Sequence, residues 1–65
     1  MREKLKEKRI INKYTQAELA GILEISRTHY CKIEKGIRNP TLSIAIKIKR
    51  TLKYNNDDLF EDIKS

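Results

Sequence analysis

A single cysteine, Cys31, excludes an internal disulfide from this chain of 65 residues. With one histidine beside that one cysteine, a four-ligand Cys/His zinc site cannot be assembled within one copy. No run of apolar residues exceeds three (Ile44-Ala45-Ile46). That excludes a membrane-spanning segment and a signal-peptide core, so a cytoplasmic chain with a reduced thiol is expected. Tryptophan is absent, and aromatic residues make up only 6% of the chain. A membrane-surface protein would be expected to carry one long helix with a large apolar face and interfacial aromatics, whereas the helices predicted for this chain are short, capped and lack Trp. Glycine occurs twice and proline once, too sparsely for a linker or a glycine-rich phosphate loop. No Ser-His-Asp grouping or metal cluster stands out, so an enzyme, a cofactor and a bound metal are not expected.

What the chain does have is positive charge. Fifteen Lys and Arg against nine Asp and Glu give a formal net charge of +6, which attracts polyanions and makes nucleic acid the leading partner. A domain this small buries only about 60% of the surface its unfolded chain exposes. Compact helix packing, helped by a second copy, is the expected source of its stability.

The remaining signals are helix punctuation. A first helix is predicted over roughly Arg2 to Asn12, with Leu5 and Arg9 four apart on one face. Thr15 followed by Glu18 is a capping box and starts a second helix at Gln16, whose apolar positions are Ala17, Leu19, Ala20 and Leu23. Ser26 is the next N-cap, leaving Glu24 and Ile25 as a sharp turn. A third helix then runs from Arg27 to about Lys35 and ends at Gly36. Tyr30 and Ile33 form its inward face, with Ile37 just beyond on the same side, and Tyr30 is core rather than a base-stacking ring. Thr41 caps a fourth helix reaching Leu52, with Leu42, Ala45, Ile48 and Leu52 at helical spacing. Asn55 and Asp58 suggest a short fifth helix through Leu59, Phe60 and Ile63. The predicted fold is all-α, one domain over residues 1–65.

Two short capped helices joined by a tight turn over residues 16–35 form a helix-turn-helix. A helix entering the major groove presents base-reading side chains from its first turns and phosphate contacts on either side. Arg27 can donate twice to a guanine, Thr28 can meet a thymine methyl, and Lys32 lies about one turn further along. Gln16 starts the second helix, where free N–H groups favour phosphate. Lys35, Arg38 and Asn39 follow the third helix and are candidates to grip the backbone on its other side.

The blocks Gln16-Ala17-Glu18-Leu19-Ala20, Ile25-Ser26-Arg27, Lys32-Ile33-Glu34-Lys35-Gly36, Arg38-Asn39-Pro40 and Asp58-Leu59-Phe60 resemble the phage repressor and Cro-like (XRE) family of helix-turn-helix domains. The resemblance covers residues 5 to 63. It implies a five-helix bundle of the lambda-repressor-like type that binds operator DNA, commonly as a dimer on a palindrome. By position it implies base contacts from Arg27, Thr28 and Lys32, with Ser26 and His29 as phosphate or base contacts. It also implies a structural ion pair between Arg9 and Glu34. Where the family often has glycine after helices one, two and four, this chain has Lys13, Glu24 and Lys53. Lys49 sits where the family prefers a small apolar residue.

Ile46, Tyr54, Phe60 and Ile63 exceed what the core obviously needs, and a two-fold homodimer interface near helices four and five is the expected use of several of them. The leading reading is a sequence-specific transcriptional regulator, most simply a repressor that blocks polymerase, without a small-molecule effector pocket. The alternative is an antitoxin or anti-repressor type of interaction module that also binds DNA.

Overall fold

The computed structural model describes residues 2–55 and 57–60. It contains α1 (Glu3–Ile11), α2 (Gln16–Leu23), α3 (Arg27–Lys35) and α4 (Leu42–Thr51), followed by a 3₁₀ turn at Asp57–Phe60. Among the described residues there is no strand. α1 is one residue shorter at each end than the sequence predicts, and α4 one residue shorter at its C-terminus. Asn12 and Leu52 keep near-helical backbones as C-caps, so these differences are ordinary fraying. The 3₁₀ turn stands where the short fifth helix is expected to begin; Ile63 lies outside the described residues.

The N-caps predicted at Thr15, Ser26 and Thr41 form. The Glu18 N–H donates to Thr15 Oγ1 at 3.0 Å, and the Thr15 N–H donates to Glu18 Oε1 at 2.9 Å, a complete capping box. The His29 N–H donates to Ser26 Oγ at 3.0 Å and the Ile44 N–H to Thr41 Oγ1 at 3.2 Å. These bonds satisfy donors at the starts of α2, α3 and α4 that have no intrahelical partner.

The C-termini share one device. After α1, α2, α3 and α4 the chain enters the left-handed region at Lys13 (φ 64°), Glu24 (φ 59°), Gly36 (φ 84°) and Lys53 (φ 56°). The next residue then donates back across the last turn: Tyr14 N–H to the Arg9 carbonyl, Ile25 to Ala20, Ile37 to Lys32 and Tyr54 to Lys49. All four are Schellman endings. Only one uses glycine, and the other three carry the steric cost of a Cβ in that region, about 1 kcal/mol each.

The core joins Leu5 of α1, Leu19, Ala20 and Leu23 of α2, Tyr30 and Ile33 of α3, Ile48 of α4, and Leu52 and Leu59. Tyr14, Ile25, Ile44, Tyr54 and Phe60 pack against it, half-buried. Two sequence expectations fail. Ile37 is 70% exposed rather than continuing the Tyr30–Ile33 face, because the left-handed Gly36 turns the chain off the helix line. Leu42 is 78% exposed. The inward row of α4 is Ile44, Ile48 and Leu52 at four-residue spacing, which leaves Leu42 and Ile46 on the opposite, solvent-facing side. No helix among the described residues is long and apolar enough to cross a membrane.

Candidate nucleic-acid interface

α2 and α3 pack closely against each other through the two-residue turn at Glu24 and Ile25. Ser26 then starts α3 with an extended backbone, so α3 leaves the turn in a new direction. Tyr30, Ile33 and Glu34 face inward and are buried. Arg27, Thr28, Lys32 and Lys35 are exposed, while His29 and Cys31 are half-buried at the edges.

Two open depressions adjoin along this outer face and share Thr28 and Lys32. One is lined by Gln16, Arg27, Cys31, Lys35 and Ile37 in addition, the other by Ser26, His29 and Arg38. The structure therefore gathers Gln16, Ser26, Arg27, Thr28, His29, Lys32, Lys35 and Arg38 on one surface. Asn39 stands apart from both linings. No acidic side chain lines either depression among the described residues, so Arg27, Lys32, Lys35 and Arg38 set a positive potential there.

Beneath this face lies a buried polar cluster. Arg9 Nε donates to Glu34 Oε2 at 2.9 Å and Arg9 Nη2 to Glu34 Oε1 at 3.3 Å, the expected ion pair in forked form. Glu34 is 1% exposed. Arg9 Nη1 also donates to the Tyr14 carbonyl at 2.8 Å, tying the α1 ending into the cluster. Gln16 Nε2 donates to Glu34 Oε1 at 3.3 Å, which connects the first residue of α2 to the inner face of α3. The hydrogen bond to Glu34 raises the Arg9 pKa above the ordinary arginine value, against the opposing cost of burial. Burial pushes the Tyr30 phenol far above the usual tyrosine range, and the neighbouring Glu34 carboxylate adds to the shift. The Tyr30 hydroxyl has no hydrogen-bond partner among the described residues.

Glu24 would repel DNA phosphates if it faced them. Its carboxylate instead accepts from Lys47 Nζ of α4 at 3.2 Å, on a side chain that is 80% exposed. Of the surplus apolar residues, Ile46 is exposed, whereas Tyr54 and Phe60 are half-buried against the core. The ammonium groups of Lys8 and Lys4 stand 5.1 and 6.0 Å from the Tyr54 ring centre, at cation–π range. Lys49 is half-buried.

The sequence reading misses Arg2. It is the N-cap residue of α1 yet makes no side-chain cap hydrogen bond there, and it is buried. Its guanidinium reaches the C-terminal end of α3, the Arg38-Asn39 loop and the 3₁₀ turn. No sequence signal marks it: the predicted first helix already includes Arg2, and its place at the N-cap emerges only in the structure.

Residues 5–59 match a helix-turn-helix family model. The chain is 36% identical over 63 residues to an uncharacterized HTH-type transcriptional regulator of Bacillus subtilis, covering 97% of this chain and 83% of that one. It is 38% identical over 60 residues to another from Methanocaldococcus jannaschii, covering 92% and 91% respectively. A third, from Archaeoglobus fulgidus, is also 38% identical over 60 residues, with 92% and 84% covered. No solved structure matches the chain.

Proposed function

Because the chain belongs to the XRE-type helix-turn-helix family of DNA-binding regulators, we propose that it is a sequence-specific repressor binding a palindromic operator as a homodimer. In this reading α3 lies in the major groove. Arg27 and Lys32 hydrogen-bond base edges, Thr28 meets a base edge or thymine methyl, and His29 reaches from the groove wall. Gln16, Ser26, Lys35, Arg38 and Asn39 hold the phosphates on either side.

The observation that carries the reading is the segregation of α3. Its buried row of Tyr30, Ile33 and Glu34 fixes the helix to the body, while Arg27, Thr28 and Lys32 are left exposed beside a cluster of further cations. Glu24, in the turn, pairs with Lys47 of α4, which offsets part of its charge. Repression follows from occupancy of the site ahead of polymerase. A homodimer built near α4 and the 3₁₀ turn, using Ile46, Tyr54, Phe60 and Ile63, places two α3 helices on the same side, about 34 Å apart, to match one turn of DNA. The protein acts in the cytoplasm, without a small-molecule effector, and its activity follows its own concentration through the dimer equilibrium.

Selection of bound sites from random DNA tests this. The expected product is an inverted repeat with half-sites about 10 base pairs apart centre to centre. Recovery of no enriched motif would refute sequence-specific reading, and recovery of a single unrepeated half-site would refute the dimer.

A further inference from the structure

Arg2 is 3% exposed, and among the described residues its side chain reaches four acceptors on three parts of the fold. Nε donates to the Phe60 carbonyl at 2.8 Å. Nη1 donates to the Ile33 carbonyl and, at 2.9 Å, to the Arg38 carbonyl. Nη2 donates to Asn39 Oδ1 at 2.7 Å. The Arg2 backbone N–H adds a bond to the Glu34 carbonyl at 2.8 Å. Two of these acceptors, Ile33 and Glu34, are in the last turn of α3, where the dipole favours a cation; the Ile33 carbonyl also takes the Gly36 N–H. Two others, Arg38 and Asn39, form the loop that follows.

A guanidinium is a rigid planar fork that donates and cannot accept. The Asn39 oxygen must therefore be the atom facing Arg2, which turns the amide nitrogen to the other side of an exposed residue. Phosphate oxygens only accept, so this is the orientation that suits a phosphate. The same guanidinium pins the Arg38 carbonyl, and with it the backbone from which the Arg38 side chain extends.

We propose that Arg2 is a positioning residue for DNA binding: it orients the Asn39 amide and the Arg38 backbone toward a DNA phosphate and references both to the end of α3. The inference rests on the DNA-reading role proposed above. Arg2 itself, buried beneath the loop, does not touch DNA in this scheme. Its effect passes through Asn39.

The test is a double-mutant cycle on operator affinity with wild type, Arg2→Lys, Asn39→Ala and the double variant, at a temperature where circular dichroism finds all four folded. Lysine keeps a cation near the helix end but, as a single-point donor, cannot span the acceptors. Each single variant is expected to weaken binding about ten- to a hundredfold, the range of one hydrogen bond to a charged acceptor. In the Arg2→Lys background Asn39→Ala should cost less than about twofold. Equal losses from Asn39→Ala in both backgrounds, or wild-type affinity in Arg2→Lys, overturns the proposal.

A second measurement needs no variant. The Asn39 side-chain NH₂ resonances of the wild type should shift when operator is added, and unchanged resonances also overturn the proposal. Failure of the wild type to bind any DNA removes the DNA-reading role and this inference together. Binding with additive variants removes the role of Arg2 alone.

Discussion

At the scale of single residues, the most consequential group is the Glu34 carboxylate, buried and held by Arg9 and Gln16. Removing one member of a buried ion pair leaves the other charge uncompensated and typically costs about 3–5 kcal/mol. A chain of this length has a total stability of about 3–10 kcal/mol, from ~0.05–0.15 kcal/mol per residue. Glu34→Ala is therefore expected to bring the domain to the edge of unfolding in urea titration. Replacing both partners, Arg9→Met with Glu34→Leu, should recover most of the loss.

Tyr30 supplies a pH dependence. Its folded pKa lies above the unfolded value, so the folded state retains a proton that the unfolded state releases above about pH 10. Its contribution is complete below that pH and declines as pH rises, by about 1.4 kcal/mol per unit. Tyr30→Phe should flatten this alkaline decline in urea midpoints taken between pH 9 and 11. An unaltered alkaline slope would contradict the assignment.

At the scale of elements, the starts of α2, α3 and α4 are well specified and the ends of α1, α2 and α4 are strained. Thr15, Ser26 and Thr41 satisfy their N-termini through bonds within three residues, which is why those boundaries are readable in the sequence. The left-handed endings at Lys13, Glu24 and Lys53 are equally local, and the resemblance, by setting these residues where glycine is usual, marked them in advance. Glycine at each position is expected to raise stability by about 1 kcal/mol, an upward shift of ~4–8 °C in thermal melts for a domain of this size. The Glu24→Gly variant also loses the exposed Lys47 pair, which contributes little, so its gain should be nearly as large.

Gly21 offers the opposite case. It lies inside α2 with a helical backbone, and a Cβ built there meets no atom within 4 Å. Gly21→Ala should stabilise by up to about 1 kcal/mol in the same melts.

What sequence could not settle is which residues each tertiary contact recruits. The positions of Ile37 and Leu42 depend on how Gly36 redirects the chain and on which row of α4 meets the body, and neither is encoded in local spacing. Arg2 depends on the approach of three chain segments distant in sequence. The candidate surface is more legible than the core edges, because one helix and its flanking loop carry most of it.

At the scale of the whole molecule, a net charge of +6 and a cationic α3 face make association with DNA strongly dependent on salt. The logarithm of operator affinity should fall with the logarithm of salt by about 0.9 per phosphate neutralised. Lys35→Ala should reduce that slope by about one while weakening all sequences alike. Sedimentation equilibrium at micromolar concentration is expected to give a dimer, and Ile46→Lys a shift toward monomer; a monomeric wild type would count against the two-fold arrangement.

The central claim is that Arg27 on α3 reads a base. Its most direct test is the affinity of wild type and Arg27→Ala for an operator and every single base-pair variant of it. Wild type should lose about 1–3 kcal/mol on substitution of one guanine in each half-site, and Arg27→Ala should lose that discrimination at that position while keeping it elsewhere. An unchanged discrimination profile in Arg27→Ala, with or without weaker binding overall, would contradict the account.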